Sequence, residues 1–227
     1  MIVTIDGPAG SGKSTTARGV ARRLGYVYLD TGAMYRAVAL AFDRAGVSST
    51  QEGAAQVLSS LDLDVEYTDG EMRVFLDSED VTSRLRTSAV DARVSPVATL
   101  RPVRDRMVKE QRRIGREQEQ IHGGVVLDGR DTGTVVFPEA DAKIYMVADL
   151  RERARRRRQE YRERGEEVSL SDVEAEIQER DQRDRTRSVA PLRRADDAIT
   201  YDTTEESIED QIQFVVDRVK ALASEGT

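Results

Sequence analysis

The stretch Gly7-Pro8-Ala9-Gly10-Ser11-Gly12-Lys13-Ser14 constrains this chain more than any other. It fits G-x-x-x-x-G-K-[ST], and it sits between an apolar run at residues 1–5 and a helix-period stretch at 14–24. Three glycines let the backbone fold tightly enough for several N–H groups to converge on one anion. The following helix adds the positive end of its dipole. This context predicts a phosphate-binding loop. In it Lys13 reaches the outer phosphates of a nucleoside triphosphate and the Ser14 hydroxyl ligates Mg2+. The ATP-binding set is Gly7, Pro8, Ala9, Gly10, Ser11, Gly12, Lys13, Ser14 and Thr15.

Around the loop the pattern reads as α/β. Short apolar strands are expected at 1–5, 26–29, 125–128, 143–147 and 198–201, with helices between them. Five such strands with helical crossovers predict a parallel sheet covered on both faces, with ligands at the carboxyl ends of its strands. One region breaks the pattern. Leu61, Leu63, Val65 and Tyr67 alternate with polar residues, Asp69-Gly70 follows, and Met72, Val74 and Leu76 alternate again. That is a hairpin signal in the middle of a parallel fold, so it is read as an insertion. Residues 87–120 are expected to be mostly helical, interrupted near Pro96 and Pro102.

Composition narrows the chemistry. The 227 residues contain no cysteine and one histidine, His122, so disulfides, thiolate metal sites and a His-centred triad are excluded or rest on one residue. No apolar run approaches the roughly 20 residues of a membrane span, and no signal peptide is evident. A cytoplasmic protein without a membrane partner is expected. Net charge is -7, yet only four of the 35 basic residues are lysine. Arginine is the side chain for bidentate contact with phosphate. An acidic chain with arginine clusters suits focused binding of small anions better than general binding of nucleic acid.

Three clusters are costly unless they meet a ligand. Asp30-Thr31-Gly32-Ala33-Met34-Tyr35-Arg36 closes the second strand, and Asp128-Gly129-Arg130-Asp131-Thr132-Gly133 closes the third. Asp128 ends a hydrophobic run, as a metal-linked Walker-B aspartate does. The third cluster runs from Glu179 to Arg187, where Arg180, Asp184 and Arg187 share one helical face. Between the last two lies 151–164, with eight arginines. Alone it resembles a nucleic-acid patch. Its place beside the third cluster, with Gly165 as a hinge, favours a lid that clamps phosphate and excludes water.

With these motifs in hand, the chain resembles the bacterial cytidylate kinases, a family of nucleoside-monophosphate kinases. The likeness rests on the residue 5–13 run, the 30–36 run, Asp128 through Pro138, and Glu179 through Leu192, and it spans nearly the whole chain. It implies a P-loop NTPase core with a five-stranded parallel sheet, a nucleoside-monophosphate-binding insertion and an arginine-rich lid. The boundaries expected are core at 1–35, 124–150 and 189–227, a monophosphate-binding domain at 36–123 with its hairpin insertion at about 59–95, and a lid at 151–188. The resemblance also implies ATP and CMP or dCMP as substrates, Mg2+ as cofactor, and a monomer. Thr31, Tyr35 and Arg36 would line the acceptor site, Arg36 and Arg130 would hold the acceptor phosphate, and Ser95, Arg104 and Asp131 would address cytosine. Arg180, Asp184 and Arg187 would reach the sugar and phosphate side, with Lys13, Arg130 and Arg180 catalytic. The residues themselves leave two other readings open. One is a small P-loop kinase for UMP or for a non-nucleotide such as shikimate. The other is a P-loop regulatory or nucleic-acid-binding protein that uses 151–164.

Overall fold

In the computed structural model, residues 1–68 and 70–225 are described. Ile2–Asp6 (β1), Val27–Asp30 (β2), Val125–Gly129 (β6), Ala142–Val147 (β7) and Ile199–Asp202 (β8) form a sheet in the order β2-β6-β1-β7-β8, every pair parallel. Side chains alternate across it as a strand requires. Leu29, Val125 and Leu127 face one layer, while Val3, Ile5 and Val126 face the other. Thr31–Ala45 (α2) and Arg101–His122 (α5) cover the first face through Met34, Val38, Val103 and Met107. Lys13–Leu24 (α1) and Ile208–Glu225 (α8) cover the second through Val20, Val215 and Val216. Burial on both faces explains why β1, β2 and β6 read as continuous apolar runs, whereas β8, at the edge, is half-exposed.

The alternating region forms its own sheet from Leu63–Thr68 (β3), Glu71–Leu76 (β4) and a short third strand, Glu79–Asp80 (β5), which the sequence pattern did not indicate. Leu63 pairs with Leu76 and Thr68 with Glu71, so the hairpin register is the expected one. Gly70 takes φ 78°, and Asp69 of the expected turn lies outside the described residues. Gln51–Ser59 (α3) precedes this sheet and Ser88–Thr99 (α4) follows it.

Pro96 does not interrupt its helix. It lies inside α4, and the break falls at Leu100, where Arg101-Pro102 begin the next helix. Pro96 removes one helical hydrogen bond, but Val90, Val94 and Val97 bury their side chains on either side of it and hold the helix together. Pro102 stands in the first turn of α5, where its missing N–H costs nothing. Leu150–Glu163 (α6) and Leu170–Thr186 (α7) pack on each other over a small core of Ala9, Ala154, Val173 and Ile177. Among the described residues no helix is long and apolar enough to cross a membrane.

Candidate active site

The loop after β1 closes on a backbone that only glycine tolerates. Gly7 takes φ 152°, and a Cβ there would stand 2.1 Å from the Met146 carbonyl oxygen. Gly12, at φ 88°, begins α1 without any side-chain cap. By contrast Asp30, Thr50, Thr87, Asp149 and Ser169 each cap a helix of this chain with their own oxygen. The first N–H groups of α1 are thus left for an anion.

Lys13 is buried inside the loop, its Nζ donating to the Pro8 carbonyl and, at 3.2 Å, to Ser11 Oγ. Burial holds its pKa well below the ordinary value, and the nearby Arg130 and Arg180 add to that. The Ser14 hydroxyl donates to Asp128 Oδ2 at 2.7 Å, and the Tyr28 hydroxyl donates to Asp128 Oδ1 at 2.7 Å. The Asp128 carboxyl is raised by burial and by the Asp30 carboxylate beside it. Asp128 and the loop thus meet through Ser14, although they stand 114 residues apart.

A cavity of about 740 Å³ opens from this loop. Its wall includes Lys13, Ser14 and Thr15, and all ten residues expected around the acceptor: Thr31, Tyr35, Arg36, Ser95, Arg104, Arg130, Asp131, Arg180, Asp184 and Arg187. Gly7, Pro8 and Ser11 stand behind it and shape the loop. The Thr31 hydroxyl is spent on the Asp128 carbonyl at 2.6 Å, so it ties β2 to β6 from the cavity wall.

The far end of the cavity is a paired network. The Arg104 guanidinium, 2% exposed, donates to Asp131 Oδ2, and Arg187 donates to Asp131 Oδ1 at 3.2 Å. Arg130 Nε donates to Asp184 Oδ2 at 2.8 Å, and Arg187 also faces Asp184 at 3.8 Å. The Tyr35 ring lies under the Arg104 guanidinium at 5.4 Å, and its buried hydroxyl has no hydrogen-bond partner among the described residues. Between the two ends stands Arg180, half-buried in the cavity wall and, among the described residues, with no hydrogen bond or ion pair. Burial and the Arg130 and Arg36 charges lower its pKa to about 10.

Three contributors escaped the reading of the sequence. Asp181 Oδ1 accepts from the Ala9 N–H at 3.1 Å and Oδ2 pairs with Arg153 at 2.5 Å, so α6 and α7 are clipped to the phosphate loop. Asp6 accepts from the Thr132 N–H and hydroxyl and from the Gly133 N–H, which fixes the turn that carries Arg130 and Asp131. Asp91 on α4 gathers three arginines. Only Asp6 and Asp181 carried a signal, since they lie within the motif runs at 5–13 and 179–187.

A parallel α/β sheet with a glycine-rich phosphate loop after its first strand, a serine–aspartate pair beside that loop and an arginine-walled cleft define a P-loop nucleotide-binding protein. The chain belongs to the cytidylate kinase family, whose model matches residues 3–221. It is 65% identical over 227 residues to the cytidylate kinase of Salinibacter ruber, covering 100% of both chains. It is 45% identical over 226 residues to that of Geobacter sulfurreducens, covering 99% of this chain and 93% of the relative. The crystal structure of TT1252 from Thermus thermophilus is 20% identical with a TM-score of 0.45 over 97% of this chain and 96% of that one, too slight a likeness to carry an argument.

Proposed function

We propose that this protein transfers the γ-phosphoryl group of ATP to the phosphate of CMP or dCMP, giving ADP and CDP or dCDP. The observation that carries this reading is one continuous cavity with a phosphate loop at one end and a hydrogen-bonding carboxylate–guanidinium network at the other. Membership of the cytidylate kinase family supports the choice of acceptor.

An oxygen of the acceptor phosphate attacks the γ-phosphorus, the bond from that phosphorus to the β–γ bridging oxygen breaks, and ADP leaves with the electron pair. The acceptor is a dianion near neutral pH, so no strong general base is needed. Catalysis is then positioning and charge neutralisation. Lys13, Arg130 and Arg180 supply the positive charge, and Arg36 and Arg130 hold the acceptor phosphate. Ser95, Arg104 and Asp131 address the base, and Arg180, Asp184 and Arg187 complete the sugar and phosphate side. The segment 151–188 acts as a lid over a core of 1–35, 124–150 and 189–227, and 36–123 binds the monophosphate.

The residues fit Mg2+. The Ser14 hydroxyl and the Asp128 carboxylate are hard oxygen donors 2.7 Å apart, with Asp30 close by. Among the described residues no cluster of three acidic, His or Cys side chains could cage a metal alone, which suits an ion held mainly by phosphates and water. When bound, Mg2+ would neutralise charge on the β- and γ-phosphates.

We take the protein to act as a monomer in the cytoplasm, on free nucleotides rather than nucleic acid. Many arginines of α6 are already engaged, Arg153 by Asp181, Arg155 and Arg156 by Glu152, and Arg157 by Glu160. The test is ADP release with CMP, dCMP, UMP and AMP as acceptors. CMP or dCMP should be preferred by at least about a hundredfold in kcat/KM. Preference for UMP or AMP, or salt-sensitive RNA binding without a diphosphate product, would overturn the reading.

A further inference from the structure

Asp91 lies in the first turn of α4, on the acceptor side of the cleft. Three guanidinium groups meet its carboxylate. Arg36 of α2 approaches through Nε at 3.2 Å, Arg157 of α6 at 3.6 Å, and Arg164, the residue that ends α6, at 3.6 Å. These contacts join elements on opposite walls of the cavity. They also differ in kind. The Arg36 contact is a hydrogen bond, whereas the other two are longer and rest on charge.

We propose that Asp91 is a positioning residue with two tasks: it orients Arg36 toward the acceptor phosphate, and it latches α6 over the cleft before nucleotides arrive. Holding Arg36 by Nε leaves its two terminal nitrogens free. One of them rests against Gly32 at the cavity rim, where an added Cβ would stand 3.0 Å away. That is the geometry for a bidentate grip on phosphate. The latch follows from charge. Arg36, Arg130 and Arg157 all push on Arg180, so bringing α6 down brings like charges together. A carboxylate placed among them offsets that repulsion while the cleft lacks phosphate. Asp91 does not hold Arg157 alone, since Glu160 pairs with it at 2.9 Å and Tyr161 lies under it at 4.6 Å. Those partners share its helix and cannot close it over the cleft.

The inference rests on the proposed role of Arg36 for its kinetic half only. The two tasks separate by substitution. Asp91→Asn can still accept from Nε but carries no charge, Asp91→Ala does neither, and Asp91→Glu keeps the charge. Hydrogen exchange of residues 150–164 is measured without nucleotide in all four proteins, alongside thermal midpoints. Exchange should quicken about tenfold in Asp91→Asn and Asp91→Ala, and Asp91→Glu should restore most of the protection. In kinetics, Asp91→Ala should raise KM for CMP about tenfold with KM for ATP unchanged, and Asp91→Asn should raise it less. Exchange at 150–164 that is equal in wild type, Asp91→Asn and Asp91→Ala would overturn the latch. Equal KM for CMP in wild type and Asp91→Ala would overturn the orienting role. A wild-type protein inactive on CMP would instead defeat the proposed function, and the exchange data would still decide the latch.

Discussion

The two ends of the cleft are built on opposite electrostatic principles. At the phosphate end, Lys13 and Arg180 form no ion pair among the described residues, and burial with neighbouring cations outweighs the more distant carboxylates and depresses both. At the base end, Arg104, Asp131, Arg187, Asp184 and Arg130 form a closed set of ion pairs. An end left with unpaired positive charge is made to receive anions, which bring the missing counter-charge. An end already paired gains little from charge. It can discriminate only by how its donors and acceptors match an incoming edge. Under the proposed function, affinity for phosphate falls mainly to the first end and choice of base to Arg104 and Asp131, with Arg130 joining the two.

The largest effect that would break this division belongs to Lys13. Lys13→Ala should lower turnover by about a thousandfold, because it removes charge at the transferring group. It should leave the thermal midpoint unchanged or slightly higher, because a buried ammonium with a depressed pKa costs folding free energy. Near-normal turnover in this variant would refute the phosphate-end assignment.

The next test asks for opposite signs at the two ends. Arg180→Met keeps the aliphatic packing and removes an unpaired cation, so stability should rise by about 1–2 kcal/mol while turnover falls about a hundredfold. Arg104→Met breaks a buried pair at Asp131 and should cost about 3 kcal/mol, since Arg187 compensates only in part. Urea unfolding of both variants reads the contrast. Shifts of the same sign would erase the distinction between the ends.

The sequence exposed these two ends unequally. Gly12, Lys13 and Ser14 are contiguous, so the phosphate end is written in one stretch that physics alone interprets. The sheet was equally plain, since Val125, Val126 and Leu127 are buried on both faces and read as an unbroken apolar run. The base end draws Arg104, Asp131 and Arg187 from three distant segments, and no periodicity links them. The clusters at 128–133 and 179–187 drew notice to Asp131 and Arg187, but only the family resemblance joined Arg104 to them. Asp91 left no trace for the same reason: a lone acid in the first turn of a helix looks like a solvated partner of its dipole until the opposite wall is in place. Pro96 misled because local propensity was outweighed by packing of its neighbours.

A sharper comparison comes from the base itself. Both Asp131 oxygens already accept from arginine, but each carboxylate oxygen has a second lone pair. Cytosine presents an N4 amino donor to such an acceptor, whereas uracil presents O4, an acceptor against an acceptor. Asp131→Asn supplies an amide donor. It should narrow the CMP-over-UMP ratio of kcat/KM by about tenfold and lower activity on CMP. A ratio equal to wild type would move base selection to Ser95 or the hairpin insertion.

The smallest effect lies beneath both ends, at Asp6. Its carboxylate accepts from the Thr132 N–H at 2.9 Å, the Thr132 hydroxyl at 2.9 Å and the Gly133 N–H at 2.7 Å. Burial outweighs these hydrogen bonds and pushes the carboxyl up to about 6. An unfolded aspartate titrates near 4, so between about pH 4 and pH 6 the folded protein holds a proton that the unfolded chain has released. The stabilisation from this group is fully present below about pH 4 and is lost as pH rises through about 6. Its slope is at most about 1.4 kcal/mol per pH unit. Asp6→Asn cannot titrate, and its amide presents N–H groups where one carboxylate oxygen accepted. The variant should be less stable than wild type throughout, with the gap widest at pH 4 and narrower by pH 7. Asp128 shifts in the same direction but is present in both proteins, so it cancels in the difference. Urea midpoints of the two proteins at pH 4, 5, 6 and 7 measure that gap. Parallel curves would mean that Asp6 titrates as it does in the unfolded chain, and that the turn carrying Arg130 and Asp131 is pinned without electrostatic cost.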